Sequence, residues 1–167
     1  MQITTINKKN IFEYENVFRE FKYLKDREKD LIDKTLLDIK KSRSVGYLLQ
    51  IDNQNIGFIA ISASRLKTDI NGLPSIEIDY LFIDKRYRKQ TFKELENIKA
   101  SEYLLFFIGG LAKQWRFEFG LKFVILYPDM QNDSLIKFYQ NLGFHKTKLV
   151  FWDNKIRETE YWMIKKL

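Results

Sequence analysis

The sequence contains no cysteine, one histidine (His145), two prolines and seven glycines. Each scarcity removes a class of chemistry. Without cysteine there are no disulfide staples, thiolate zinc sites, iron–sulfur clusters or thiol nucleophiles. A single histidine cannot build a His-rich metal centre, and a Ser-His-Asp triad could draw on His145 alone. No metal is expected, and any catalysis must run on carboxylates, phenols, lysines, backbone amides or a bound cofactor. Long apolar runs are scarce too. The longest, Tyr103 to Ala112, is too short to span a bilayer. No basic-then-apolar leader pattern opens the chain, so a cytoplasmic protein without membrane association is expected.

What is present suits a packed α/β domain. The chain has 167 residues, the size of one domain, and a single domain over 1–167 is expected. Hydrophobic residues at 45% and aromatics at 16% supply a core. Lys plus Arg number 29 against 22 acids, a formal charge of +7. Much of this reflects abundant Lys, Ile and Asn, the bias of AT-rich coding. The cations are scattered, densest at Lys85, Arg86, Arg88, Lys89 and Lys93. Scatter argues against nucleic acid and for a solvated surface or a small anionic ligand.

Residues 2–6 read as a strand. Apolar positions at 11, 14, 17, 18, 21 and 24 have helical spacing, as do Leu31, Ile32, Thr35, Leu36 and Ile39. Residues 46–51 and 56–63 flank Asp52-Asn53-Gln54-Asn55, a hairpin with turn residues between its strands. Residues 75–83 alternate: Ile76, Ile78, Tyr80 and Phe82 face one way, Glu77, Asp79, Leu81 and Ile83 the other. After a charged stretch, residues 101–117 form a helix apolar nearly all round, which predicts burial on more than one side. Residues 123–127 (FVILY) form an unbroken apolar run, the mark of a buried parallel strand. A helix over 132–142 and an antiparallel pair over 144–151 and 157–165 complete a mixed α/β order with a central βαβ unit and flanking helices.

Two motifs carry a resemblance. Asn132-Asp133-Ser134-Leu135-Ile136-Lys137-Phe138-Tyr139-Gln140-Asn141-Leu142-Gly143-Phe144 contains Phe-Tyr-x-x-x-Gly-Phe one helix after the buried strand. Tyr80 to Arg88 ends a strand and closes on Tyr87-Arg88. With the element order over nearly the whole chain, these resemble the GNAT superfamily of acyl-CoA-dependent N-acetyltransferases. The departure follows Arg88, where the family has a Gly-rich pyrophosphate turn and this chain has no glycine before Gly109. Either the turn is lost, or residues 89–97 are an insertion and the turn moves to Lys99-Ala100-Ser101. The second reading is preferred, with Ser101 as helix N-cap.

The resemblance implies acetyl-CoA as cosubstrate and a set of site residues. Tyr139 would protonate the departing thiolate; its alternative is packing, in one stripe with Leu135, Phe138 and Leu142. Glu77 or Asp79, two apart on a strand and so about 6.5–7 Å apart, would remove the amine's proton. Asp79 could instead hold the substrate ammonium, and both could be merely a solvent face. Leu81, Phe82 and Ile83 would meet the thioester and pantetheine through backbone amides, Leu81 polarising the carbonyl. Arg88, Lys99, Ala100 and Ser101 would hold phosphates. Asn132 and Phe138 would touch the cofactor, with a plain N-cap as the alternative for Asn132.

The implied activity is transfer of an acetyl or small acyl group to a primary amine, of a small molecule or a peptide, by direct attack. A catalytically inactive coenzyme A- or partner-binding module is the alternative. A basic nucleic-acid-binding domain ranks below both. A homodimer is left open.

Overall fold

In the computed structural model, residues 1–67, 72–129, 131–148 and 161–167 are described. They cluster into two compact units. One comprises residues 1–62 and 79–108, the other residues 63–78 and 109–167. The order of strands and helices runs β1 Gln2–Ile6, α1 Ile11–Glu20, α2 Asp26–Lys40, β2 Val45–Ile51, β3 Gln54–Lys67 and β4 Gly72–Ile83. A short ribbon follows, β5 Thr91–Phe92 and β6 Ile98–Lys99, then α3 Ala100–Phe119, β7 Phe123–Leu126, α4 Asp133–Asn141, β8 His145–Lys148 and β9 Tyr161–Lys166. Strands β3 and β4 and helix α3 each run from one unit into the other.

In the first unit the sheet order is β1-β2-β3-β4. Antiparallel pairing sets Gln2 against Gln50 and Val45 against Ile61. The β2–β3 turn needs two residues, Asp52 and Asn53, with φ of 48° and 61°. Left-handed conformations at both match the twist of a tight hairpin, and Asp and Asn tolerate them. The turn is therefore shorter than residues 52–55, and β3 begins at Gln54. One face of this sheet carries α1 and α2. Ile6, Ile11, Phe18, Phe21, Ile32, Ile39, Leu48, Phe58, Ala60 and Phe82 form its core. Tyr47 faces oppositely and meets Phe107 of α3 edge to face at 5.2 Å.

Helix α1 stops at Glu20, short of the periodicity's end at residue 24. The reason is a competing contact. Lys22 N–H donates to Asp84 Oδ2 at 3.0 Å, and Lys85 N–H donates to the Lys22 carbonyl at 2.9 Å. Tyr23 Oη donates to the Phe18 carbonyl at 2.7 Å. Pinned to the end of β4, the segment leaves the helix at Phe21, whose ψ is 141°. Helix α2 starts earlier than its apolar repeat, at Asp26, with Asp26 and Glu28 in the first turn where the helix dipole favours acids.

In the second unit the order is β4-β7-β9-β8. Ser75–Ile78 pairs in parallel with Phe123–Leu126, as the apolar run predicts. Val124, Ile125 and Leu126 are buried, while Tyr127 lies outside the strand and is exposed. The parallel pairing ends at Ile78, and β4 continues to Ile83. The pair β8–β9 is antiparallel, His145 against Ile164. The remainder of the predicted closing hairpin lies outside the described residues.

Helix α3 corrects one expectation. It buries a single stripe, Ala100, Leu104, Leu105, Ile108 and Ala112, whereas Phe106, Phe117 and Phe119 are exposed. Its apolar composition therefore exceeds what its packing uses. Among the described residues no helix is long and apolar enough to cross a membrane.

Candidate active site

The predicted site residues divide between the units. Asp79, Leu81, Phe82, Ile83, Arg88, Lys99, Ala100 and Ser101 belong to the first, and Glu77, Asn132, Phe138 and Tyr139 to the second.

In the first unit the end of β4 has one satisfied edge. Asp84 N–H donates to the Ile56 carbonyl on β3 at 2.9 Å. A Cβ built on Gly57 would lie 2.4 Å from the Phe82 carbonyl oxygen and 3.0 Å from Ile83 Cα. Residues 82 and 84 therefore direct backbone groups to β3. Along a strand these groups alternate, so the N–H groups of Leu81 and Ile83 face the other edge. The Ile83 carbonyl on that edge accepts from Arg88 Nε at 2.9 Å. Phe82 itself is a core residue, its ring tilted against those of Phe21, Tyr23 and Phe58.

Arg88 is more fully engaged than a phosphate ligand need be. Its two terminal nitrogens each lie 2.8 Å from a different oxygen of Glu28. The two-point pair places its charge on α2, and the guanidinium also lies over the Phe82 ring. Its neighbour Arg86 is tied to Asp84 at 2.7 and 2.9 Å. Asp84 is fully buried. Burial pushes its pKa up, but the Arg86 side chain and the N–H groups of Lys22 and Arg86 more than offset this and hold it below the usual carboxylate value.

Asp79 differs in every respect. Ser44 Oγ donates to Oδ2 and Ser62 Oγ to Oδ1, both at 2.7 Å. Desolvation outweighs these bonds, and the carboxyl titrates above its ordinary value, with Asp38 adding to the rise and Lys34 opposing it. Ser62 lies two residues beyond Ala60, which with Phe58 faces the α1–α2 core, as do Tyr80 and Phe82. Consecutive residues Asp79 and Tyr80 thus point to the same face. Alternation slips by one residue there, as at a β-bulge, and the predicted split of Asp79 from Tyr80 and Phe82 is corrected. Tyr80 is pushed up to about 12, by burial first and then by the charge of Glu28.

The segment between β4 and α3 is an ordered ribbon. Thr91 pairs with Lys99 and Phe92 with Ile98, Leu95 is buried, and Glu96 and Asn97 turn with φ of 57° and 63°. Helix α3 begins at Ala100, so Ser101 lies inside its first turn and Lys99 takes the N-cap place predicted for Ser101. Lys99 N–H donates to Glu102 Oε2 at 3.0 Å. Glu102 stands at the third helical position and reaches back, half of a capping box. Serine loses the cap because the ribbon's last pair holds Lys99 extended.

In the second unit, Glu77 pairs with Ile125 across to β7. Asn132 is the N-cap of α4: its Oδ1 accepts from Leu135 N–H at 3.1 Å. The other end of α4 explains the sequence motif. Gly143, with φ of 85°, donates its N–H to the Gln140 carbonyl, and Phe144 N–H donates to the Tyr139 carbonyl. This is a Schellman cap, with its hydrophobic contact supplied by Phe144 against Tyr139 at 5.8 Å. Phe-Tyr-x-x-x-Gly-Phe is thus, physically, a helix and its stop signal. Tyr139 is 8% exposed, and burial pushes its phenol up to about 12. Among the described residues its hydroxyl has no hydrogen-bond partner.

No protein-family model matches the sequence, and no curated protein is similar to it in sequence. Solved structures match over almost the whole chain. A mutant AtaT toxin bound to the C-terminus of its antitoxin AtaR and acetyl-CoA superposes with a TM-score of 0.73 at 15% identity, covering 99% of this chain and 92% of that one. NAA60 of Arabidopsis thaliana in complex with acetyl-CoA gives 0.57 at 14% identity, covering 99% and 98%. The chain has the GNAT fold. AtaT complexed with acetyl-methionyl-tRNA gives 0.66 at 13% identity, covering 99% and 94%. At such identities the likeness is one of fold. That neighbour's bound tRNA stands partly against the low rank the sequence gives to a nucleic-acid partner. Among the described residues no group of His, Cys, Asp or Glu could hold a metal ion.

Several functional candidates escape sequence reasoning. Ser44, Ser62 and Glu28 act on residues 17 to 60 positions away, and no local pattern marks such pairs. Glu102 was findable, three residues after Lys99 at the start of an apolar run.

Proposed function

We propose that this protein is an N-acyltransferase that moves an acetyl or small acyl group from a coenzyme A thioester to a primary amine. The observation that carries the reading is Tyr139: a buried phenol, held neutral well past physiological pH, whose hydroxyl lacks a partner among the described residues. A buried polar group left unpaired calls for an explanation. A thiolate leaving group supplies one, because a neutral phenol can give it a proton in a dry site. The N–H groups of Leu81 and Ile83, turned from β3, suit an acyl oxygen and an amide-bearing arm. The first-turn N–H groups of α3, with Lys99 beside them, suit phosphate. Asp79 or Glu77 takes the proton of the incoming ammonium.

The acceptor is proposed as a primary amine of a peptide or an aminoacylated RNA. The fold neighbour complexed with acetyl-methionyl-tRNA supports including the latter. A second reading, a coenzyme A-binding module without turnover, is favoured by one feature: Glu102 brings a carboxylate to the turn where phosphates would rest.

The test is release of free thiol from acetyl-CoA with three amines: a peptide with a free N-terminal methionine, spermidine and methionyl-tRNA. Turnover with any one supports the transferase. Thermal stabilisation by coenzyme A without turnover supports the binding module. No shift in melting temperature at millimolar coenzyme A removes both. Tyr139→Phe is expected to slow turnover by about 10²-fold or more while keeping affinity for coenzyme A, read by calorimetry; unchanged turnover excludes Tyr139 as the acid.

A further inference from the structure

Among the described residues the hydrogen-bond donors to Asp79 are neutral. Each of its oxygens accepts one serine hydroxyl at 2.7 Å, from Ser44 before β2 and Ser62 on β3. Ser44 is buried, and the left-handed Ser42, with φ of 57°, turns the chain into that place after α2. Among the described residues no lysine or arginine forms an ion pair with Asp79. The charged groups acting on it come from α2: Lys34, which favours its charge, and Asp38, which opposes it. The carboxylate is therefore fixed in direction without an ion-pair partner among the described residues.

Serine suits a carboxylate that must change protonation state. A hydroxyl is both donor and acceptor. When Asp79 is ionised, both serines donate to it. When it is protonated, one serine can turn and accept the new O–H. An arginine could do only the first, and would oppose protonation by its charge.

We propose that Ser44 and Ser62 are positioning residues that hold Asp79 as the acceptor of the ammonium proton in the transfer reaction. This rests on the transferase reading above. In the step, an ammonium N–H bond breaks and its proton passes to Asp79, leaving a neutral amine. The nitrogen lone pair forms the bond to the acyl carbon, and the carbon–sulfur bond breaks with its electron pair going to sulfur. Sulfur takes the Tyr139 proton, and the second proton lost by nitrogen restores the phenol through solvent. Asp79 returns its proton to water. Ammonium and thioester thus give amide, thiol and one released proton.

The test uses the full chain with Ser44→Ala, Ser62→Ala, the double variant, Ser62→Thr and Asp79→Asn. Asp79 is titrated by carboxyl carbon NMR, and thiol release is followed against pH with the same three amines and acetyl-CoA. Each lost hydroxyl removes a bond to the ionised form. The Asp79 midpoint should rise by about one pH unit per serine, and the acidic limb of kcat/KM should rise with it. Ser62→Thr should restore both. Asp79→Asn should lower kcat by about 10²-fold or more. An NMR midpoint unmoved by the double variant overturns the clamp. A midpoint that moves while the kinetic limb stays overturns Asp79 as proton acceptor. Absence of turnover with all three amines in the wild type overturns the transferase reading and, with it, the catalytic half of this proposal, while the NMR titration still decides the clamp.

Discussion

Asp79 and Asp84 lie five residues apart on one strand and its exit, and they are handled in opposite ways. Asp84 is fully buried and receives a guanidinium and two backbone N–H groups. It joins β4 to the loop after α1 and to the turn that follows the strand. Asp79 receives two hydroxyls and, among the described residues, no ion pair. A charged partner commits a carboxylate to the fold, because the pair can be broken only by leaving a buried charge alone. Neutral partners orient a carboxylate and leave its charge for something else. The difference is visible in the direction of the pKa shifts, down for Asp84 and up for Asp79.

The comparison breaks most readily at Asp84. Asp84→Ala leaves Arg86 and two N–H groups without their acceptor and is expected to cost about 2–4 kcal/mol, read as a fall in urea midpoint at pH 7. The folded pKa of Asp84 is depressed, so its contribution is present above the unfolded carboxylate value and is lost as pH falls through the folded one. The deficit of the variant should therefore shrink in acid, below about pH 4. A deficit independent of pH would mean that Asp84 acts by packing and not by charge.

Arg88→Ala tests the same logic at a partly exposed pair. Losing the two-point bond to Glu28 and the bond to the Ile83 carbonyl should cost about 1–2 kcal/mol. Loss of coenzyme A affinity with unchanged stability would instead return Arg88 to phosphate binding, as the sequence suggests.

The smallest effect is also the most pointed. Asp79 has a raised folded pKa. Its favourable contribution is complete below the unfolded value and is lost as pH rises through the folded one, so at neutral pH its charge opposes folding. Asp79→Asn is expected to stabilise the protein at pH 7 by a few tenths of a kcal/mol after solvent screening, with the gain vanishing near pH 3. Differential scanning calorimetry at the two pH values checks this. Destabilisation at pH 7 would place Asp79 with Asp84 as a structural group.

The architecture was legible where one residue's neighbours decide its state. The apolar run at 123–127 announced a buried parallel strand, and Asp52-Asn53-Gln54-Asn55 announced a hairpin. Asn132 and Gly143 marked both ends of α4. Legibility failed where a distant contact overrides the local pattern. The periodicity of α1 continues to Leu24, but bonds to Asp84 and Lys85 end the helix at Glu20. Ser101 has N-cap chemistry, but the β5–β6 ribbon gives that place to Lys99. Alternation along β4 predicted the faces of its residues until the slip between Asp79 and Tyr80. For the site, the sequence offered residue types and spacing; the partners that decide their charge, Ser44, Ser62 and Glu28, come from other elements.

Gly57 carries a consequence for how this chain can vary. What stands nearest is backbone, the Phe82 carbonyl at 2.4 Å, with Ile83 Cδ1 at 2.8 Å and Ile83 Cα at 3.0 Å behind it, and backbone cannot repack as the Ile83 side chain can. The penalty of replacement is then nearly independent of size: alanine is refused for the same reason as tryptophan. In a saturation library position 57 should behave as a switch, not a scale, and an alignment of true homologues should hold glycine there even where every aromatic residue of the core has been exchanged.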